Sequence, residues 1–290
     1  MNAGSHHVAV GSFQCTVVTD GTFPYPPSSF ASNTPPARVA EELDAHGRPV
    51  DVIETPYACL VVETGTHRVL VDTGMGPLPP GFPDTTGKLQ QHLRAAGIDP
   101  EGIDTVVLTH GHADHIGGNT GPSGEIAFPN ARFVMGRTEW DYWTTGPSLA
   151  ELQAGDEIKG MLQHWAKTHL PPLQDRIDLI DGETEIVPGI TALPAPGHTP
   201  GQIALAIASD GELLLHLVDV ALDPFQLTHP DWVAAFDYDP EQVVATRRRL
   251  FDRAADEGAL VLCYHFPFPG LGRVERAGEG WRWDPAGTTG

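Results

Sequence analysis

One ten-residue segment constrains the fold of this chain more than any other. Thr109–Gly118 reads Thr-His-Gly-His-Ala-Asp-His-Ile-Gly-Gly, which places three imidazoles and one carboxylate within six positions. Imidazole nitrogens and carboxylate oxygens are the ligands that borderline metals such as zinc accept. The preceding residues, Ile103–Leu108, form an apolar run typical of a strand buried on both faces. The segment therefore predicts a metal site in a loop at a strand end, with small residues expected to allow its sharp turn: Gly111, Gly117 and Gly118.

Three later residues, like this loop, lie close to the ends of predicted strands. His198 lies in the glycine–proline turn Pro196–Gly201, and Asp219 and His265 lie at or just beyond the ends of apolar strands. Each of them alone would be an ordinary polar residue. Functional side chains are commonly held at the ends of strands in a rigid sheet. The joint pattern therefore predicts that these residues complete the metal site.

Apolar periodicity and turn residues predict an α+β chain. We expect one domain over residues 1–290, with an extended N-terminal segment over 21–56 and a helical insertion over 136–172. The predicted helices are Lys88–Ala96, Thr138–Trp143, Glu151–His169 and Pro240–Ala255. The predicted strands are Val8–Thr19, Tyr57–Glu63, His67–Val71, Ile103–Leu108, Ala131–Met135, Ile177–Ile180, Ile190–Leu193, Gln202–Ala208, Glu212–Val220 and Ala259–Tyr264.

Charge and composition narrow the class of partner. Acidic residues outnumber basic ones by 38 to 17, and the formal net charge of −21 would repel nucleic acid and anionic membrane surfaces. No apolar run approaches the roughly 20 residues of a membrane span, and the first residues do not resemble a signal peptide. We therefore expect a cytoplasmic protein that acts on a small molecule, with its cysteines reduced and buried: Cys15, Cys59 and Cys263.

Taken together, the metal loop, the Gly-His-Thr-Pro-Gly turn, the late Asp219 and the late His265 resemble the metallo-β-lactamase superfamily. The resemblance covers nearly the whole chain, from Val8 to about Trp283. It implies a four-layer αββα sandwich with two metal ions at one edge, between the sheets. It also implies a ligand set: His110, His112 and His198 on one ion, Asp114, His115 and His265 on the other, and Asp219 bridging both.

The same resemblance implies a mechanism and a metal. A hydroxide that bridges two metal ions would attack the substrate, with Asp114 and Asp219 as the catalytic side chains. The Asp72-Thr73-Gly74 turn matches a turn of the family and suggests that Asp72 orients a ligand. Zinc is the expected metal, with manganese, iron, cobalt or nickel as alternatives. The sequence itself carries no signal for the oligomeric state, and the family resemblance is compatible with a homodimer.

Differences between this sequence and other branches of the superfamily indicate which reaction it catalyses. Position 112 is histidine where the oxygen-reducing branch has glutamate, and position 219 is aspartate where true zinc β-lactamases have cysteine. Position 222 is leucine where the acyl-homoserine lactonases have tyrosine, so their phenol-assisted step is not supported. Three C-terminal segments resemble the methyl parathion hydrolase branch, which acts on aryl esters, lactones and phosphotriesters: Asp219–Gln226, Tyr264–Gly272 and Gly280–Arg282.

The favoured function is therefore hydrolysis of lactones or of aryl and carboxylic esters. The alternatives are an organophosphate triester hydrolase, a thioesterase of the glyoxalase II kind, and a binding scaffold without catalysis. A glyoxalase II would need basic residues near its C-terminus to hold an acidic thiol conjugate, and only five arginines could serve: Arg247, Arg248, Arg249, Arg273 and Arg276. The first three lie mid-helix, where a solvated face is expected. By proximity to the motifs, five aromatic residues are candidates for the wall of an apolar substrate pocket: Phe225, Phe266, Phe268, Trp140 and Trp143.

Overall fold

The computed structural model describes residues 4–78 and 84–286, so the ends of the predicted 1–290 domain and the segment 79–83 lie outside the described residues. Its first half forms a seven-stranded sheet in which the strands follow chain order. Strands β1 to β4 pair antiparallel, and β4 to β7 pair parallel. Their bounds are β1 Ser5–Val10, β2 Phe13–Tyr25, β3 Ile53–Glu63, β4 Arg68–Val71, β5 Thr105–Leu108, β6 Arg132–Gly136 and β7 Ile177–Ile180.

The second half forms another seven-stranded sheet, again with neighbouring strands in chain order. Within it β11 and β12 pair parallel, and the other neighbours pair antiparallel. The strands are β8 Thr184–Val187, β9 Ile190–Pro194, β10 Ile203–Ser209, β11 Glu212–Val218, β12 Leu260–Cys263, β13 Leu271–Ala277 and β14 Gly280–Pro285.

Helices cover the outer face of each sheet. The helices are α1 Pro36–Ala45, α2 Leu89–Ala95, α3 Ala113–Ile116, α4 Arg137–Thr144, α5 Asp156–His169, α6 Phe225–Thr228 and α7 Pro240–Glu257. Apolar residues of α2, α4 and α5 pack with the first sheet, and those of α7 pack with the second. Among the described residues, no helix combines the length and the apolar character that a membrane crossing requires.

Strand β3 shows how sequence produces the layers. Its residues from Pro56 to Val62 are apolar or aromatic because alternate side chains enter two different cores. Cys59 and Val61 pack toward the helices of the first sheet, whereas Leu60 and Val62 pack between the two sheets. The central core also receives residues of the second sheet, such as Leu205. These layers are helix, sheet, sheet and helix, which confirms the predicted αββα sandwich.

Several predicted elements differ from the structure. The single strand expected over Val8–Thr19 is a hairpin, because Gly11 adopts φ +55 and turns the chain between β1 and β2. The segment 21–56 is not extended throughout, since Pro36 begins α1 instead of preventing a helix. The helix expected from Glu151 begins at Asp156, after Gly155. Strands β8, β13 and β14 were not predicted, whereas α4 and α5 lie within the helical insertion predicted over 136–172.

The expectation of a solvated arginine face on α7 is wrong for Arg247. This residue is 1% exposed, and its guanidinium donates hydrogen bonds to the carbonyl oxygens of Val220, Pro230 and Trp232 at 2.7 to 2.8 Å. The three carbonyls belong to the loop that follows Asp219. A buried guanidinium therefore fixes the path of the chain beside the predicted metal site.

Replacement of Arg247 by methionine should destabilise the protein by about 3 kcal/mol. It leaves the carbonyls of Val220 and Pro230 without this donor and leaves the Trp232 carbonyl with Gln226 alone. The matched control is Arg248→Met, the next residue on the same helix, which is exposed and donates to a single carbonyl, that of Glu279. We expect the control to cost less than about 1 kcal/mol in urea denaturation. Equal losses in the two variants would contradict the structural role of Arg247.

Candidate metal centre

Four chain segments meet at one edge of the two sheets and carry all the predicted ligands. The loop after β5 contributes four of them, and single residues follow β11 and β12, which are parallel neighbours. The turn between β9 and β10 reaches the same edge because β10 pairs antiparallel with β11. The structure thereby brings together all seven predicted side chains: His110, His112, Asp114, His115, His198, Asp219 and His265.

Two groups of candidate ligand atoms form within this set, and in each group the atoms lie within 4.8 Å of one another. The first group contains His110, His112, His198 and Asp219, with 2.9 Å between His112 Nδ1 and His198 Nε2. The second contains Asp114, His115 and His265. These groups are the ones that the family resemblance implies.

Asp219 lies between the two groups. Its Oδ2 is 3.3 Å from His198 Nε2 in the first group. The same oxygen is 3.3 Å from His115 Nε2 and 3.1 Å from His265 Nε2 in the second. A carboxylate in this position can contact ions in both groups, as the predicted bridging role requires.

The donor set fits divalent cations. His110 Nε2, His115 Nε2 and Asp219 Oδ1 are buried and make no hydrogen bond with any residue that the structure describes. Buried polar atoms without a partner are costly, and they are rare in proteins unless a ligand or ion satisfies them. Imidazole nitrogens and carboxylate oxygens at this spacing are typical of a two-metal site that accepts zinc.

Burial and neighbouring charges together set the charge state of these groups. Burial lowers the pKa of both His110 and His112 well below the usual range, so that each ring keeps the neutral form that binds metals. Burial alone would raise the pKa of Asp219, but the nearby His265 and His115 outweigh that effect and hold it well below its usual range. The carboxylate therefore stays ionised.

The ligand rings are oriented through their other nitrogen. His115 Nδ1 is 2.8 Å from Asp72 Oδ2, and His265 Nδ1 is 3.2 Å from the carbonyl oxygen of Pro56. When Nδ1 carries the proton and donates it to these oxygens, the lone pair of Nε2 faces the cluster. Asp72 also accepts hydrogen bonds from the amide and the hydroxyl of Thr109, and its backbone has a φ of +59. This geometry agrees with the predicted orienting role of Asp72.

Two buried carboxylates at the site were missed by sequence reasoning. Asp237 Oδ1 lies 2.7 Å from His198 Nδ1 and so orients that ring. Glu139 accepts hydrogen bonds from the Gly111 amide, the Thr199 hydroxyl and the Gly201 amide at 2.8 to 2.9 Å, which ties the metal loop to the turn around His198. Neither residue lies in a recognisable motif. Only the three-dimensional arrangement of the chain reveals their roles.

The glycines of the metal loop are needed for a different reason from the expected one, which was a sharp turn. None of them has a positive φ. A Cβ at Gly111 would lie 2.2 Å from the ring of Trp143, and at Gly117 or Gly118 it would lie 2.0 Å from a backbone carbonyl oxygen. These positions therefore need glycine because other parts of the protein approach the loop closely.

A cavity of about 590 Å³ opens onto the clusters, and Asp114, His198, Asp219 and His265 are part of its wall. The rest of the wall is mainly apolar. It comes from the end of β2 and the residues after it, from α5, and from single residues elsewhere: Phe23, Tyr25, Phe30, Met75, Leu78, Ile158, Met161, Leu162, Trp165, Leu222 and Phe236.

The sequence-based choice of pocket aromatics is wrong, because none of the five lines this cavity. Trp143 packs behind the metal loop, where its Nε1 donates to Glu139 and its ring contacts His112. Phe225 packs against Trp232, and Phe266 packs against Trp283. The other two are partly buried in separate apolar clusters: Trp140 and Phe268.

Replacement of Asp237 by asparagine should weaken metal binding at one ion position by about tenfold, because a neutral amide polarises the His198 ring less than a carboxylate. The matched control is Asp231→Asn, an identical change at an exposed position of the same loop. Competition with a chromogenic chelator measures both affinities. Unchanged affinity in Asp237→Asn would show that this contact does not tune the site.

Comparison with known proteins agrees with this geometry. Residues 52–265 match the profile of the Metallo-beta-lactamase superfamily. An N-acyl homoserine lactonase of Bacillus thuringiensis is 27% identical over 237 residues, which cover 75% of this chain and 84% of that protein. The structure of AidC, a dizinc quorum-quenching lactonase in complex with a product, has a TM-score of 0.90 at 28% identity and covers 99% of both chains.

A second solved structure, the hydrolase AbOPH of the beta lactamase superfamily, has a TM-score of 0.87 at 27% identity and covers 100% of both chains. The finer resemblance to the methyl parathion hydrolase branch stays a prediction. The family match extends over well more than half of the chain and spans every candidate ligand. The chain belongs to the metallo-β-lactamase superfamily, as a metal-dependent hydrolase.

Proposed function

We propose that this protein hydrolyses lactones, with N-acyl homoserine lactones as the substrate class, through a centre of two zinc ions. The observation that carries the proposal is the position of both candidate ligand groups at the wall of one large apolar cavity. The relatives described as N-acyl homoserine lactonases support this choice of substrate.

In this proposal, His110, His112 and His198 would hold one ion, and Asp114, His115 and His265 would hold the other. Asp219 would touch both ions. When bound, two such ions lower the pKa of a water molecule toward about 7 and polarise the carbonyl group of the substrate.

The chain's own residues prepare the site for this chemistry. Asp72 and Asp237 fix the direction of two ligand rings. The Asp114 side chain is 13% exposed and lines the cavity, with its Oδ2 3.3 Å from His265 Nε2. A carboxylate in this position can take a proton from water and pass it to the alcohol oxygen that leaves when the ring opens.

The cavity favours a substrate with an apolar arm. Its wall is mostly aromatic and aliphatic, so it can bury an acyl chain and exclude water. No arginine or lysine is among its described lining residues. The five arginines considered for a thioesterase bond elsewhere in the protein, for example Arg249 to the Pro194 carbonyl and Arg276 to Asp252. An acidic thiol conjugate would therefore find no cationic partner here, which favours a neutral ester or lactone.

The experiment is a substrate comparison on one purified sample. N-decanoyl homoserine lactone should be turned over with a higher kcat/KM than an aryl ester, a phosphotriester or a glutathione thioester, because only the lactone has a long apolar arm and a neutral head. Treatment with a chelator should abolish turnover, and added zinc should restore it. A dominant phosphotriester rate, or turnover that survives complete metal removal, would contradict the proposal.

A further inference from the structure

Two tyrosine hydroxyls form a pair at the cavity wall. Tyr25, the last residue of β2, lines the cavity, and its hydroxyl oxygen is 2.8 Å from that of Tyr57 on β3. Tyr57 is completely buried, and its ring packs edge-on against His265 with 5.7 Å between ring centroids. The pair therefore connects the substrate cavity to one of the candidate ligands.

The number of protons in this pair determines which tyrosine donates the hydrogen bond to the other. Two hydroxyl groups have two protons but share one hydrogen bond, so one proton remains available. Among the described residues, the Tyr25 hydroxyl is the sole hydrogen-bond partner of the Tyr57 hydroxyl. If Tyr25 donated to Tyr57, the proton of Tyr57 would be buried without an acceptor, which is costly. The favourable arrangement has Tyr57 donating to Tyr25, which leaves the Tyr25 proton free to bond within the cavity.

The Tyr25 ring is held in place by other aromatic residues. Its centroid lies 5.1 Å from that of Phe23, 5.4 Å from Phe30 and 6.0 Å from Phe236. Edge-on and tilted contacts of this kind restrict the ring. A donor that is already oriented loses little entropy when a substrate binds, and it stabilises developing charge more effectively than a mobile one.

We infer that the Tyr25 hydroxyl donates a hydrogen bond to the carbonyl oxygen of the bound substrate and stabilises the negative charge that develops on it. This inference rests on the proposed function only in requiring hydrolysis of a carboxylic ester bond, of which a lactone is the cyclic form. When a water oxygen adds to the carbonyl carbon, the C=O π pair moves onto the carbonyl oxygen. The pair then re-forms the C=O bond, the bond to the ring oxygen breaks, and a proton from the water ends on that oxygen.

The test compares Tyr25→Phe with Tyr57→Phe. Loss of a donor that acts on the developing charge should lower kcat by about 100-fold with little change in KM. Tyr57→Phe leaves the donor in place and should cost far less. Each substitution removes the same bond between the two hydroxyls, so a purely structural role would give equal losses. Equal losses, or a change in KM alone, would overturn the inference.

A control and two independent measurements complete the test. Tyr142→Phe removes a hydroxyl that donates to the Ser148 carbonyl outside the cavity, and it should change kcat less than about twofold. Metal content and thermal midpoint should stay unchanged in Tyr25→Phe; if the variant loses its metals or unfolds, the hydroxyl is structural and the inference fails. Binding of the ring-opened product, followed through tryptophan fluorescence, to which Trp165 in the cavity wall contributes, should weaken about tenfold.

An aryl ester separates this inference from the proposed function, because it has a carbonyl oxygen but no lactone ring. If the wild type hydrolyses the aryl ester and no lactone, the proposed substrate class is wrong, and the kcat of Tyr25→Phe on the aryl ester still decides the role of the hydroxyl. If the wild type hydrolyses lactones and Tyr25→Phe is unimpaired, only the inference about Tyr25 fails.

Discussion

The structure depends on an electrostatic constraint at the edge of the sandwich. Five imidazoles and several carboxylates are packed together where little water can reach them, and the ionised form of a buried group is costly unless an opposite charge compensates it. Four carboxylates belong to the candidate ligands or bond directly to their rings: Asp72, Asp114, Asp219 and Asp237. Two divalent cations would balance their four negative charges. The rest of the fold holds these groups in position despite the cost.

Two residues beside the clusters have an unfavourable backbone conformation. Asp72 has φ +59, and Val218, immediately before Asp219, has φ +51. Residues with a β-carbon rarely adopt such conformations, and a β-branched residue is especially disfavoured. Both positions lie at the end of a central strand and place a carboxylate at the clusters. A third such residue, Asp210, lies in the turn between β10 and β11. At the site, the strain of Asp72 and Val218 accompanies the aiming of a charged group, and the surrounding packing and hydrogen bonds maintain it.

The sequence allowed prediction of the ligands more readily than of their environment. His110, His112 and His115 belong to one short motif, and Asp219 and His265 follow apolar strands, so local patterns reveal them. Contacts between distant segments leave no such pattern, which is why Asp237, Glu139 and the pairing of Tyr25 with Tyr57 were not predicted. Position near a motif was a poor guide to the pocket: Phe225 and Phe266 pack into apolar cores, whereas β2 and α5 form much of the cavity wall.

Crystallography of the zinc-loaded protein, with data collected on both sides of the zinc absorption edge, would show whether two metal ions bind here and share Asp219. We expect two anomalous peaks. One should be bound by His110, His112 and His198, the other by Asp114, His115 and His265, with Asp219 touching both. A single peak, two peaks that Asp219 does not share, or zinc bound elsewhere would contradict this arrangement.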